Sequence, residues 1–126
     1  MNFYSALTLD IPRARKTLEH LIAHPEEHNQ ETYGYTTACG TKMCIAGTVV
    51  YQDAEAGEQV RWKPVNDVEY MLDPDEDICE WIPTKAAELL GLQYEDAWDL
   101  FHIVDNSTAL ATLKHWIKAA EEAQSA

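Results

Sequence analysis

The stretch Asp10-Ile-Pro-Arg-Ala-Arg-Lys-Thr-Leu-Glu-His-Leu-Ile-Ala-His-Pro25 carries helix punctuation at both ends and a helical period between them. Asp10 supplies an N-cap, Pro12 stands in the first turn where its missing N–H is not needed, and Pro25 ends the run. Ile11, Ala14, Leu18, Leu21 and Ile22 recur on one face, while Arg13, Arg15 and Lys16 fall elsewhere on the wheel. An apolar stripe of this width needs a partner, so the rest of the chain is read for elements that can cover it.

Downstream, Glu26 to Thr41 is polar and rich in Gly, Thr and Tyr, a loop with an extended piece at Thr32–Thr37. From Met43 to about Ala56 the residues Ile45, Ala46, Val49, Val50 and Ala54 describe a short buried helix closed by Gly57. Glu58–Lys63 alternates weakly around Val60 and Trp62, a short strand or hairpin arm that Pro64 stops. Three more helical units follow: Pro83 to Leu90 ended by Gly91, Tyr94 to about Ile103, and a last helix from near Ser107, capped by Asn106, Ser107 or Thr108. The last helix has Leu110, Leu113, Ile117 and Ala120 on its inner face and frays from Ala119 to Ala126. The expected fold is therefore mainly α: a compact single domain over residues 1–126, of about five helices, with at most a short two-stranded β element.

Composition bounds the function. The chain has 126 residues, 46% of them apolar, enough for one core without metal or disulfide staples. No run approaches the roughly 18–20 consecutive apolar residues of a membrane span, and MNFYSALTLD lacks the basic-then-apolar pattern of a secretory signal, so a cytoplasmic protein is expected. Acidic residues number 22 against 9 basic, a net charge of −13, which repels nucleic acid and anionic membrane and attracts basic protein surfaces. Asp53 to Glu80 holds ten acids and two bases, −8 of that total. Three cysteines in such a chain read as free thiols rather than a disulfide scaffold.

Several constellations invite chemistry. Cys39 and Cys44 flank Gly40 and Thr41 and lead into a helix whose Ala46 and Gly47 let another backbone come close. Cys44 at a helix N-terminus would have its thiolate favoured by the dipole, and a histidine such as His102 would be needed as its base. Buried cysteine is the plainer reading. His20 and His24 lie at i and i+4, and with Cys39 and Cys44 they make a four-ligand zinc alternative, although the Cys spacing exceeds a tight knuckle. Asp73-Pro-Asp75-Glu-Asp77 starts like a calcium loop and then fails, with Ile78 at position six and Thr84 at position twelve. Pro83 to Ala97 resembles a helix-turn-helix, yet Glu95, Asp96 and Asp99 would face phosphates. Of Trp62, Trp81, Trp98 and Trp116 most should be core, and one left exposed would be an anchor for a protein partner.

Cys39-Gly40-Thr41-x-x-Cys44-x-Ala46-Gly47, followed by Ala86-Ala-Glu-Leu-Leu-Gly-Leu92 and Ala97-x-x-Leu100-Phe101, resembles a group of small acidic proteins of actinobacterial phages and their hosts. The likeness covers about Cys39 to Ile117, departs at Thr48, where an aromatic or histidine is expected, and carries over no catalytic role. It implies a phage protein acting on its host. Together these features predict a non-enzymatic accessory protein without cofactor in the host cytoplasm. It would bind a basic host-protein surface through Asp73, Asp75, Glu76, Asp77 and Glu80, with the Cys39–Gly47 element architectural. DNA mimicry is a special case of that binding, and a thiol enzyme or zinc module on Cys39 and Cys44 is the alternative.

Overall fold

In the computed structural model, which describes residues 1–38, 40–53, 60–72 and 81–126, the chain forms six helices and one four-stranded antiparallel sheet among the described residues. The helices are α1 (Phe3–Thr8), α2 (Ile11–Ala23), α3 (Ile45–Gln52), α4 (Trp81–Leu90), α5 (Tyr94–Phe101) and α6 (Asn106–Gln124). The strands are β1 (Tyr35–Thr37), β2 (Gly40–Lys42), β3 (Arg61–Val65) and β4 (Val68–Leu72), in the spatial order β2-β1-β4-β3. The fold is mixed α/β. This corrects the mainly α expectation of about five helices and a two-stranded element.

The extra β structure comes from one long-range pairing. β1 joins β4 with Tyr35 opposite Tyr70 and Thr36 opposite Glu69, so two hairpins become one sheet. β3 and β4 turn at Asn66 and Asp67, both with positive φ (48° and 67°), the backbone that two-residue hairpin turns require and that Asn and Asp tolerate. Pro64 does not stop the strand. It sits inside β3, which is an edge strand, where a missing N–H costs no ladder bond.

The helices follow their local signals closely. Asp10 caps α2, its carboxylate accepting from the Arg13 N–H at 3.1 Å. Ile22, expected inside, is 59% exposed. Gly91 ends α4 at φ +71°, and Leu92 N–H donates to the Ala87 carbonyl while Gly91 N–H donates to that of Glu88, the paired bonds of a Schellman end. Asp105, rather than Asn106, Ser107 or Thr108, caps α6, accepting from the Thr108 N–H (2.8 Å) and hydroxyl (2.7 Å). The C-terminal turns of α6 are held rather than frayed, since Gln124 Nε2 donates to the carbonyls of Ala6 and Leu9. α1 is an addition the apolar period does not announce. Its N-cap Asn2 accepts from the Ser5 N–H, and its buried Ser5 and Ala6 make it a lid on α6.

The core lies among α2, α3, α4, α5 and α6, where Leu21, Ile45, Val49, Val50, Ile82, Leu90, Leu100 and Leu113 are fully buried. Each contributes about 1.5–3 kcal/mol by leaving water. The sheet attaches to this core through Met71, which is buried against α3 and Gly34, and through Trp62, edge-on to Tyr51 at 6.3 Å. Residues 54–59, including the expected helix stop Gly57, lie outside the described residues.

Candidate functional site

The Cys39–Gly47 element resolves into a junction. Gly40 and Thr41 stand on β2, where the Thr41 hydroxyl meets that of Thr36 on β1 at 2.9 Å. Cys44 is the N-cap of α3: its sulfur accepts from the Gly47 N–H at 3.4 Å and its own N–H donates to the Thr32 carbonyl. Ala46 and Gly47 are buried in the first turn. A Cβ at position 47 would stand 1.7 Å from the Tyr33 carbonyl oxygen, the close backbone approach expected of small residues there. Cys39 lies outside the described residues.

A second cap reaches α3 from Gln30, a buried side chain whose Oε1 accepts from the Ile45 N–H (2.8 Å) and meets His28 Nε2 (2.9 Å). Its Nε2 donates to the Ile103 carbonyl, its backbone N–H donates to Asn106 Oδ1, and Asn106 Nδ2 donates to the His28 carbonyl. One side chain thus ties the loop before the sheet, the start of α3 and the link into α6. Burial holds the His28 imidazole below its ordinary pKa and so favours the neutral ring, while the Gln30 bond opposes this to a smaller degree.

Cys44 and His102 do line one cleft of about 540 Å³, with Tyr33, Phe101 and Val104. The thiol is poorly suited to nucleophilic work. Complete burial pushes its pKa up to about 11, and the helix N–H groups that favour the thiolate recover only part of that. The His102 Nδ1 donates to the Trp98 carbonyl at 2.8 Å, since a carbonyl only accepts, which leaves Nε2 as the ring's acceptor nitrogen.

The four-ligand set of Cys39, Cys44, His20 and His24 is not gathered among the described residues. The metal-ligating groups that do converge there are His24, Glu26 and Glu27, at the end of α2, without Cys44. Asp73, Asp75, Glu76, Asp77 and Glu80, the expected partner-binding acids, fall outside the described residues, as does the calcium-like run.

What the surface displays instead is on α5. Tyr94, Trp98 and His102, at i, i+4 and i+8, form a ladder in which Trp98 stacks on His102 (centroids 3.8 Å, 26°) and lies 6.0 Å from Tyr94. Tyr94 and Trp98 are each 44% exposed and, with Glu95 and Asp99, they line a shallow depression of about 420 Å³. Asp96, on the opposite side of α5, is buried and accepts from the Asn2 N–H at 3.0 Å, so it does not point outward as a recognition helix would place it. The spacing of Tyr94, Trp98 and His102 was visible in the sequence, but so was that of the buried Ala97 and Phe101.

No protein-family model, curated protein or solved structure matches this chain. The geometry of the chain itself therefore carries the functional reading. Among the described residues no helix is long and apolar enough to cross a membrane.

Proposed function

We propose that the protein is a non-enzymatic binding protein that engages a basic surface on a partner protein, with the aromatic ladder of α5 as its anchor. The supporting observation is a half-exposed Trp98, stacked on His102 and bordered by Glu95 and Asp99, in a chain of net charge −13. An indole face beside carboxylates suits an arginine or lysine: cation–π attraction on the ring and charge-assisted bonds at the rim. The wider negative field steers such a partner at low salt and is screened at higher salt.

The resemblance to actinobacterial phage proteins supports reading that partner as a host-cell protein, and the acids of Asp73–Glu80 add to the negative charge of the sequence. Affinity capture from an actinobacterial lysate at low and moderate salt, with added DNA as competitor, tests the reading. One stoichiometric, salt-sensitive partner supports it, and displacement by DNA would make it mimicry. A bait that returns alone at both salts refutes it.

A further inference from the structure

α2 ends at Ala23 with His24 as its C-cap, and Pro25 starts a single 3₁₀ turn, Pro25–Glu27, that doubles the chain back on the helix. The reversal brings two carboxylates onto two imidazoles. His24 Nδ1 stands 3.4 Å from Glu26 Oε1 and 3.3 Å from Glu27 Oε2, while His20 Nε2 stands 3.3 Å from Glu27 Oε1. The His20 and His24 rings lie 4.8 Å apart, one helical turn from each other. In a tetrahedral zinc site with metal–ligand bonds of about 2.0–2.1 Å, neighbouring ligand atoms are about 3.3 Å apart. The observed nitrogen–oxygen separations match that edge.

The backbone holding these groups is fixed before any ion arrives. His24 N–H donates to the His20 carbonyl, Glu27 N–H to that of His24, and the Glu27 carbonyl accepts from Met43 N–H at 2.8 Å, beside β2. Two like charges converge on one imidazole nitrogen, an arrangement that a cation between them relieves. An imidazole among the carboxylates favours zinc and its late-transition neighbours over magnesium or calcium.

We propose that the C-terminal end of α2 binds a divalent transition-metal ion of the zinc class, held by His24 Nδ1 and the carboxylates of Glu26 and Glu27, with His20 Nε2 against Glu27 Oε1 as the neighbour that orients that carboxylate. The site is separate from the α5 face and uses neither cysteine of the Cys39–Gly47 element. Because Glu27 is bonded to Met43, occupancy clamps the end of α2 to the strand leading into α3.

Isothermal titration of Zn²⁺ into the full chain carrying Cys39→Ser and Cys79→Ser, which leaves the buried Cys44 as the one remaining thiol of three, tests it. One equivalent is expected, weakened at least tenfold by His24→Ala or Glu27→Gln. Histidine NMR in the same chain is the second readout, with the His20 and His24 rings shifting on zinc addition and the exposed His115 unmoved. No binding in the parent chain would leave the cluster an ion-pair network only and overturn the site. Equal binding by the double variant His24→Ala, Glu27→Gln, or equal shifts at all three histidines, would overturn it as well.

Discussion

The carbonyl oxygen of Tyr33 occupies the place a side chain at Gly47 would need, 1.7 Å from an ideal Cβ. The first turn of α3 and the loop before β1 therefore meet backbone to backbone, and Cys44 N–H locks the contact by donating to Thr32. Gly47→Ala cannot be absorbed by a rotamer change, because the obstacle is main chain. The substitution is expected to cost about 3 kcal/mol, the upper end for overpacking. Urea unfolding measures it, and a loss under about 1 kcal/mol would mean that the two segments separate easily.

Gln30 satisfies the first N–H of α3 and braces the link into α6. Gln30→Ala leaves the buried Ile45 N–H without its partner and is expected to cost about 1–3 kcal/mol. Equilibrium unfolding of the variant checks the value, and an unchanged midpoint would contradict the capping role.

His28 gives the fold a pH dependence of known sign. Its imidazole in the folded chain has a pKa below the ordinary 6.5, so the unfolded chain takes up the proton first as pH falls. The stability it contributes is complete above about pH 6.5 and is lost as pH drops from there towards the folded value. The difference in unfolding free energy between the parent chain and His28→Gln should shrink over that window, measured from pH 8 to 5. A difference that grows on acidification would contradict the buried, neutral ring.

Cys44 should be inert in the native state. With its thiol raised to about 11 and its sulfur buried, alkylation at neutral pH should modify it only after denaturant is added, as peptide mapping by mass spectrometry reads directly. Rapid native labelling at Cys44 would revive the thiol-enzyme alternative.

The helices were legible because their information is local. Asp10, Pro12 and Pro25 frame α2, and Gly91 closes α4, all within a few residues of the element they define. The sheet was not. β1 and β2 are three residues each, β3 contains Pro64, and β4 reads Val-Glu-Tyr-Met-Leu inside an acidic stretch. What makes them a sheet is the pairing of Tyr35 with Tyr70, and no local pattern encodes a contact across that separation. The cluster at the end of α2 was half visible: the i, i+4 histidines were plain, but Glu26 and Glu27 meet His24 only through the reversal at Pro25. Trp98 was named among four tryptophans, and its exposure depends on which face of a one-sided helix meets the core.

The α5 face is the centre of the proposed partner binding. The direct measurement is quantitative affinity capture from the same actinobacterial lysate with the parent chain and with Trp98→Ala, Glu95→Lys, Asp99→Lys, whose changes fall on exposed positions and should leave the fold intact by circular dichroism. A basic partner should be retained by the parent chain at low salt and its recovery reduced at least tenfold by the triple variant. Equal recovery by a folded triple variant would contradict it and move the binding surface away from α5.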